Sequence, residues 1–138
     1  MKKANVLRLV MAMALLLAVI VNVLGDTLRK GGSIVGKIES NGDVRINGSI
    51  VGRFESNGDI RVNGSIEGKI ESNGDIRKRG SIIGKVENNG DIRISGSIVG
   101  KVENNGDIRK NGSIIGRAEQ MTDVRRVAVM YFFGFFNL

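Results

Sequence analysis

The sequence predicts an all-β fold in which sixteen-residue repeats of short antiparallel strands close into a flower- or propeller-like ring; the alternative is a β-solenoid. Three observations carry this. Residues 32–127 repeat every sixteen positions, in six copies, with no insertion or deletion, the mark of one small unit copied and stacked. Within a copy, β-branched residues alternate with polar ones, a strand signal. Glycine accounts for 20 of the 138 residues and proline for none, so glycine supplies the tight corners.

The chain opens on a different composition. Lys2, Lys3 and Arg8 form a basic start, Leu9 to Leu24 is apolar except for Asn22, and a small residue, Gly25, precedes Asp26. This is the layout of a secretory signal peptide over residues 1–25, with a retained N-terminal membrane anchor as the alternative. Either way the expected location is outside the cytoplasm: periplasm, cell surface or secreted.

The repeat domain is expected over residues 26–126. In the first copy, GSIVGKIESNGDVRIN from Gly32 to Asn47, Ile34, Gly36 and Ile38 share one face and Val44 stands between Asp43 and Arg45. Asn41-Gly42 first suggests a two-residue turn, but that would set Ile38 opposite Arg45. A three-residue loop with glycine in the left-handed conformation sets Ile38 opposite Val44. The same loop at Ile46-Asn47-Gly48 would place Ile50 opposite Val44, inside. The position of Ile34 is isoleucine in all six copies, as expected of an interior site. That of Ile46 becomes Val62, Lys78, Ile94, Lys110 and Arg126, as expected of an exposed loop. Each unit then reads as three strands, Lys37–Glu39, Asp43–Arg45 and Ser49–Gly52, with the chain turning a corner after Gly52. Residues 37–116 hold five such units flanked by half units, which suggests radial closure.

Residues 127–138, VAVMYFFGFFNL, carry five of the six aromatic residues; Phe54 is the other. The repeats offer few large apolar side chains, so this segment is expected to complete the core on the repeats, as a last strand or as a plug in the ring. The other reading is an exposed contact with a membrane or a partner.

Composition excludes several chemistries. The chain has no cysteine and no histidine, hence no disulfide, thiol nucleophile or imidazole base. The formal charge is +7; without Lys2, Lys3 and Arg8 it is 18 basic against 14 acidic residues, spread among one another. That pattern is a solvated surface rather than a nucleic-acid footprint. The Asn41-Gly42-Asp43 run faintly resembles a calcium β-roll, but Arg45 beside Asp43 opposes a cation. Glu39 and Asp43 recur with the same neighbours, so nothing separates an acid from a base. Glu67 is the one acid out of pattern, and Ser49 has no partner base. No catalytic, cofactor-binding or metal-binding residue is expected, and no cofactor. The expected role is that of a structural or interaction module for an unknown protein or surface partner. The alternatives are a carbohydrate or cell-wall ligand binder with shallow repeated sites, for which only Phe54 offers an aromatic platform, and a self-assembling scaffold.

Two resemblances bear on these expectations. The leader, the repeats of the type GSIVGKIESNGDIR, the loss of register after Gly116 and the ending VAVMYFF resemble the small exported proteins described as five-fold β-flower proteins, with Arg126-Val127 where that family tends to carry a tryptophan. This implies an extracytoplasmic domain with no catalytic residues. The string GDVRINGSIVGKI also resembles the repeats of bactofilins, filament-forming β-helices, which implies a solenoid that polymerises.

Overall fold

The computed structural model describes residues 25–138; the expected leader over residues 1–25 lies, but for Gly25, outside the described residues. Twelve strands follow in order: β1 Asp26–Lys30, β2 Ser33–Ile38, β3 Asp43–Ile46, β4 Ser49–Phe54, β5 Asp59–Val62, β6 Ser65–Ile70, β7 Asp75–Lys78, β8 Ser81–Val86, β9 Asp91–Ile94, β10 Ser97–Val102, β11 Asp107–Lys110 and β12 Ser113–Ala118. A helix, α1 Val124–Phe132, comes last. Each strand pairs antiparallel with its chain neighbours, and β1 pairs with β12 to close the barrel. The closed ring of repeats is therefore as expected. The solenoid is not: in a coil, positions sixteen apart would pair in parallel, whereas Val44 pairs with Ile38 on one side and Gly52 on the other.

Two features of the expected unit are corrected. Gly52 is no corner. It lies within the continuous strand β4 and pairs with Val44 and Val62 at once, so the wall is one sheet rather than five separate blades. The count around the ring is six, because the terminal half units complete each other at the β1–β12 seam, Leu28 opposite Ala118 and Arg29 opposite Arg117.

The two joins of each repeat differ. Ser40–Gly42 is the expected three-residue loop: Glu39 N–H donates to the Asp43 carbonyl (2.8 Å), Gly42 N–H to the Glu39 carbonyl (2.9 Å), and Gly42 has φ 96°. Asn47-Gly48 is instead a two-residue turn, with φ 52° and 80° and Ile46 opposite Ser49, the type I′ geometry that matches strand twist. Parity is restored inside the strand, where the register slips so that Val51 is an extra residue between the pairs Arg45–Ile50 and Val44–Gly52. The slip turns Ile50 outward. The interior assignment of the Ile34 position is thus wrong in every copy: these six isoleucines are all exposed.

The first I′ position needs a left-handed backbone, which asparagine tolerates best after glycine. Asn47, Asn63 and Asn111 occupy it in three copies, but Ser95 has φ 52° and Arg79 has φ 49°. Ser95→Asn should relieve part of this cost and stabilise the fold by up to about 1 kcal/mol. Thermal unfolding checks this, a rise in midpoint of a few degrees being expected. Arg79 is the less clean site, because its Nε also donates to Glu67 Oε2 (3.0 Å).

One side chain from every strand forms a complete inner ring: Leu28, Ile38, Val44, Phe54, Ile60, Ile70, Ile76, Val86, Ile92, Val102, Ile108 and Ala118. Eight strands make an interior that side chains alone can fill; twelve leave room for more. That room is taken by α1. Asp123 caps the helix, accepting from the N–H groups of Arg125 (3.0 Å) and Arg126 (3.1 Å). Residues 117–133 contain no glycine, and Gly134, at φ 69°, ends the helix. Val127, Ala128, Val129 and Met130 are buried. The helix leans on β10, directly across the ring from β4. Phe54, the one aromatic of the inner ring, fills the far side and packs edge-on against Phe136, with centroids 5.9 Å apart.

Candidate functional site

The barrel has two unlike rims, one of three-residue loops and one of I′ turns. The chain enters α1 at the first. Arg125 Nη1 donates to the Ser72 carbonyl (2.9 Å) and Nη2 to Asn88 Oδ1 (3.3 Å), both on three-residue loops. The connecting segment is pinned by Asp26, fully buried, whose two carboxylate oxygens accept from Gln120 N–H (3.0 Å) and Thr122 N–H (3.2 Å). The chain leaves the bore at the other rim, where Lys78 Nζ donates to the Gly134 carbonyl (3.3 Å) and Lys30 Nζ to that of Leu138 (3.4 Å).

Between these ends the last residues step around the ring, one repeat at a time. Each repeat presents a glycine on its inner face, and each glycine has a side chain of the C-terminal segment against it: Tyr131 on Gly116, Phe132 on Gly100, Phe133 on Gly84, Phe135 on Gly68, Phe136 on Gly52 and Leu138 on Gly36. Gly134 and Asn137, which skip a seat, are exposed. Sequence reasoning missed these seats; the available signal was a glycine at the same place in all six copies. The Ile46 position also proves to lie in a strand rather than a loop in five copies, half-buried at Ile46, Val62, Lys78 and Ile94 and exposed at Lys110, while Arg126 falls in α1. Its lysine versions survive there because they reach the rim, Lys78 lying 5.0 Å from the Phe135 ring centroid.

Tyr131 does more than fill a seat. Its hydroxyl donates to the Arg29 carbonyl (2.6 Å) and lies 3.4 Å from that of Arg117, which are the two sides of the β1–β12 seam. Burial pushes its pKa up to about 12, and the nearby Asp26 carboxylate acts in the same direction. The folded state thus favours the neutral phenol, so the contribution is fully present below the ordinary pKa of about 10 and is lost as pH rises from about 10 to about 12. Tyr131→Phe should cost about 1 kcal/mol at neutral pH. The gap between wild type and Tyr131→Phe should shrink above pH 10, measured by denaturant unfolding across that range.

The outer wall is a lattice of ion pairs. Arg45 Nε donates to Glu39 Oε1 (2.7 Å), Arg61 to Glu55 (3.0 Å), Arg77 to Glu71 (3.0 Å), Arg93 to Glu87 (3.2 Å) and Arg109 to Glu103 (3.1 Å), with Arg29–Glu119 as the sixth across the seam. The same arginines reach the I′ turns, as in Arg45 Nη1 to the Gly48 carbonyl (3.0 Å). Asp43 accepts from Asn41 Nδ2 (3.1 Å) and from Arg53 Nη1 (3.3 Å), while its N–H donates to Asn41 Oδ1 (2.9 Å), an Asx turn. The carboxylates weighed from the sequence, Glu39, Asp43 and Glu67, are therefore tied to guanidinium and amide groups. Among the described residues, no three acids converge as metal ligands would. Phe54 is buried, so it offers no sugar platform.

What this arrangement can do is present closely similar, charged and isoleucine-bearing surfaces six times around a closed barrel. Neither a curated protein nor a solved structure matches the chain. A family model does: that of the bactofilins, described as polymer-forming cytoskeletal, matches residues 49–124, more than half of the sequence, and the chain belongs to the bactofilin family.

Proposed function

We propose that the protein is a non-enzymatic scaffold whose rings assemble into polymers. The family match over residues 49–124 is the observation that carries this reading. The fold is consistent with it, since most outward residues recur around the ring, and the one acid that does not, Glu67, is paired with Arg79. The ring also limits how assembly works. A closed barrel has no free strand edge, so polymers here do not grow by adding strands to an open sheet. The growth must come from side chains on the wall or the rims. Sedimentation velocity of the purified protein over a range of concentrations tests the reading. Species that grow well beyond a dimer support it, and a single ring at every concentration overturns it.

We also place this scaffold outside the cytoplasm or tethered at the membrane surface. The support is the sequence of residues 1–25, basic, then apolar, then small, together with the resemblance to exported β-flower proteins. The N-terminal residue of the protein recovered from cells tests it: Asp26 indicates cleavage after Gly25, and Met1 in a membrane fraction indicates the tether. Full-length protein in the cytosol excludes both.

A further inference from the structure

The plug explains the inner face and the ion pairs explain most of the outer one, but neither explains the isoleucines. Ile34, Ile50, Ile66, Ile82, Ile98 and Ile114 are 53–61% exposed and take no part in the core. Each lies just past an I′ turn, opposite an arginine that bridges the wall, as Ile50 is opposite Arg45 and Ile66 opposite Arg61. Equivalent strands are two spacings apart, so neighbouring isoleucines are roughly 10 Å from one another and encircle the ring at one level. The next residue along, at the bulge, is Val35, Val51, Glu67, Ile83, Val99 or Ile115, so that position tolerates a charge and the isoleucine position carries none. Threonine would suit an exposed strand equally well.

We infer that this belt is the surface by which one ring binds another copy of itself, side by side; the inference rests on the polymer-forming reading above. Charge identifies the occupant. In the first copy Lys37 and Arg45 balance Glu39 and Asp43, in the second Arg53 and Arg61 balance Glu55 and Asp59, and in the fourth Lys85 and Arg93 balance Glu87 and Asp91, while the third and fifth copies each carry one base in excess. Each isoleucine therefore sits among both signs, arranged as the pairs Glu39–Arg45 and Asp43–Arg53. Such a patch is complementary to itself when turned about a two-fold axis. An anionic lipid surface or a nucleic acid would call for bases clustered without interleaved acids instead. Six equivalent patches on one ring also mean that association does not end at a dimer, because a ring held at one patch offers five more.

The test uses the same sedimentation series on two variants. In Ile50→Lys/Ile82→Lys/Ile114→Lys, alternate patches are charged and three remain; the expected result is growth only at concentrations well above those at which wild type has grown, with an unchanged unfolding midpoint. The chain has no cysteine, so Ile66→Cys provides a second measurement that leaves the wall intact. Oxidation should link it into covalent dimers, while Ser56→Cys on the opposite rim should not link. If wild type polymerises and the triple variant does so equally, or Ile66→Cys fails to link within the polymer, the belt is overturned and the polymer-forming reading stands. If wild type remains a single ring, both fall. Should the triple variant not fold, the cysteine pair decides.

Discussion

A chain ending at Asp123 is expected not to fold cooperatively. It would keep all twelve strands and every inter-strand pair, yet lose what fills the bore. Phe133, Phe135 and Phe136 are buried, as are Val127, Ala128, Val129 and Met130. Truncating one buried phenylalanine in a core costs about 3–5 kcal/mol, so three approach the whole stability of a typical domain, about 5–15 kcal/mol. The loss also exposes the inner ring from Leu28 to Ala118 to water and removes the Tyr131 contact at the seam. Near-ultraviolet circular dichroism and heat-induced unfolding would check this. The outcome should be no sharp transition, with dye binding to exposed apolar surface. A sharp transition near the wild-type midpoint would mean that the wall stands without its filling.

Gly100→Ala should be severely destabilising, and Gly36→Ala far less so. A Cβ at Gly100 would collide with the Arg109 carbonyl oxygen of the neighbouring strand and come within 2.5 Å of Phe132 Cε1. At Gly36 the nearest atoms would be the Arg45 carbonyl oxygen at 3.0 Å and Leu138 Cδ2 at 3.2 Å, distances a small shift can accommodate. Overpacking of the first kind costs about 1–3 kcal/mol or more, and backbone on one side leaves little room to relax. The expected order is a loss of about 3 kcal/mol at residue 100 and under about 1 kcal/mol at residue 36, read from denaturant midpoints. Adding Phe132→Leu to Gly100→Ala should recover only part of the loss, because the carbonyl contact remains. Equal effects at the two positions would contradict the seat geometry.

Much of this architecture is legible in the sequence. Strict spacing gave the repeat, and alternation gave strands. At Ser40-Asn41-Gly42 the pairing of Ile38 with Val44 follows from parity, because both residues are apolar and only one loop length keeps them together. Parity does not reach Asn47-Gly48, because a turn is not the only place to insert a residue: the extra one is Val51, within the strand. One slipped position reverses which face a side chain takes, so Ile50 went from expected interior to observed exterior. The glycines misled for a related reason. Gly52 reads locally as a corner, and its real role, a seat for Phe136, depends on a residue 84 positions later. The C-terminal segment was legible as apolar and aromatic but not as helical, since the cap at Asp123 lies where the repeat has already lost its register. The exposed isoleucine belt was invisible to sequence reasoning because constancy between copies looks the same whether it serves a core or a contact.

The staircase of side chains behind Tyr131 has a consequence for how this protein knows its own size. A wall made of interchangeable sixteen-residue units has no intrinsic reason to stop at any number of them. The terminal segment supplies one, since Tyr131, Phe132, Phe133, Phe135, Phe136 and Leu138 provide six pegs for six sockets. It is a gauge cut to one circumference: a gene that gained or lost a unit by duplication or deletion would encode a hoop whose stopper no longer fits, and the two would have to change together.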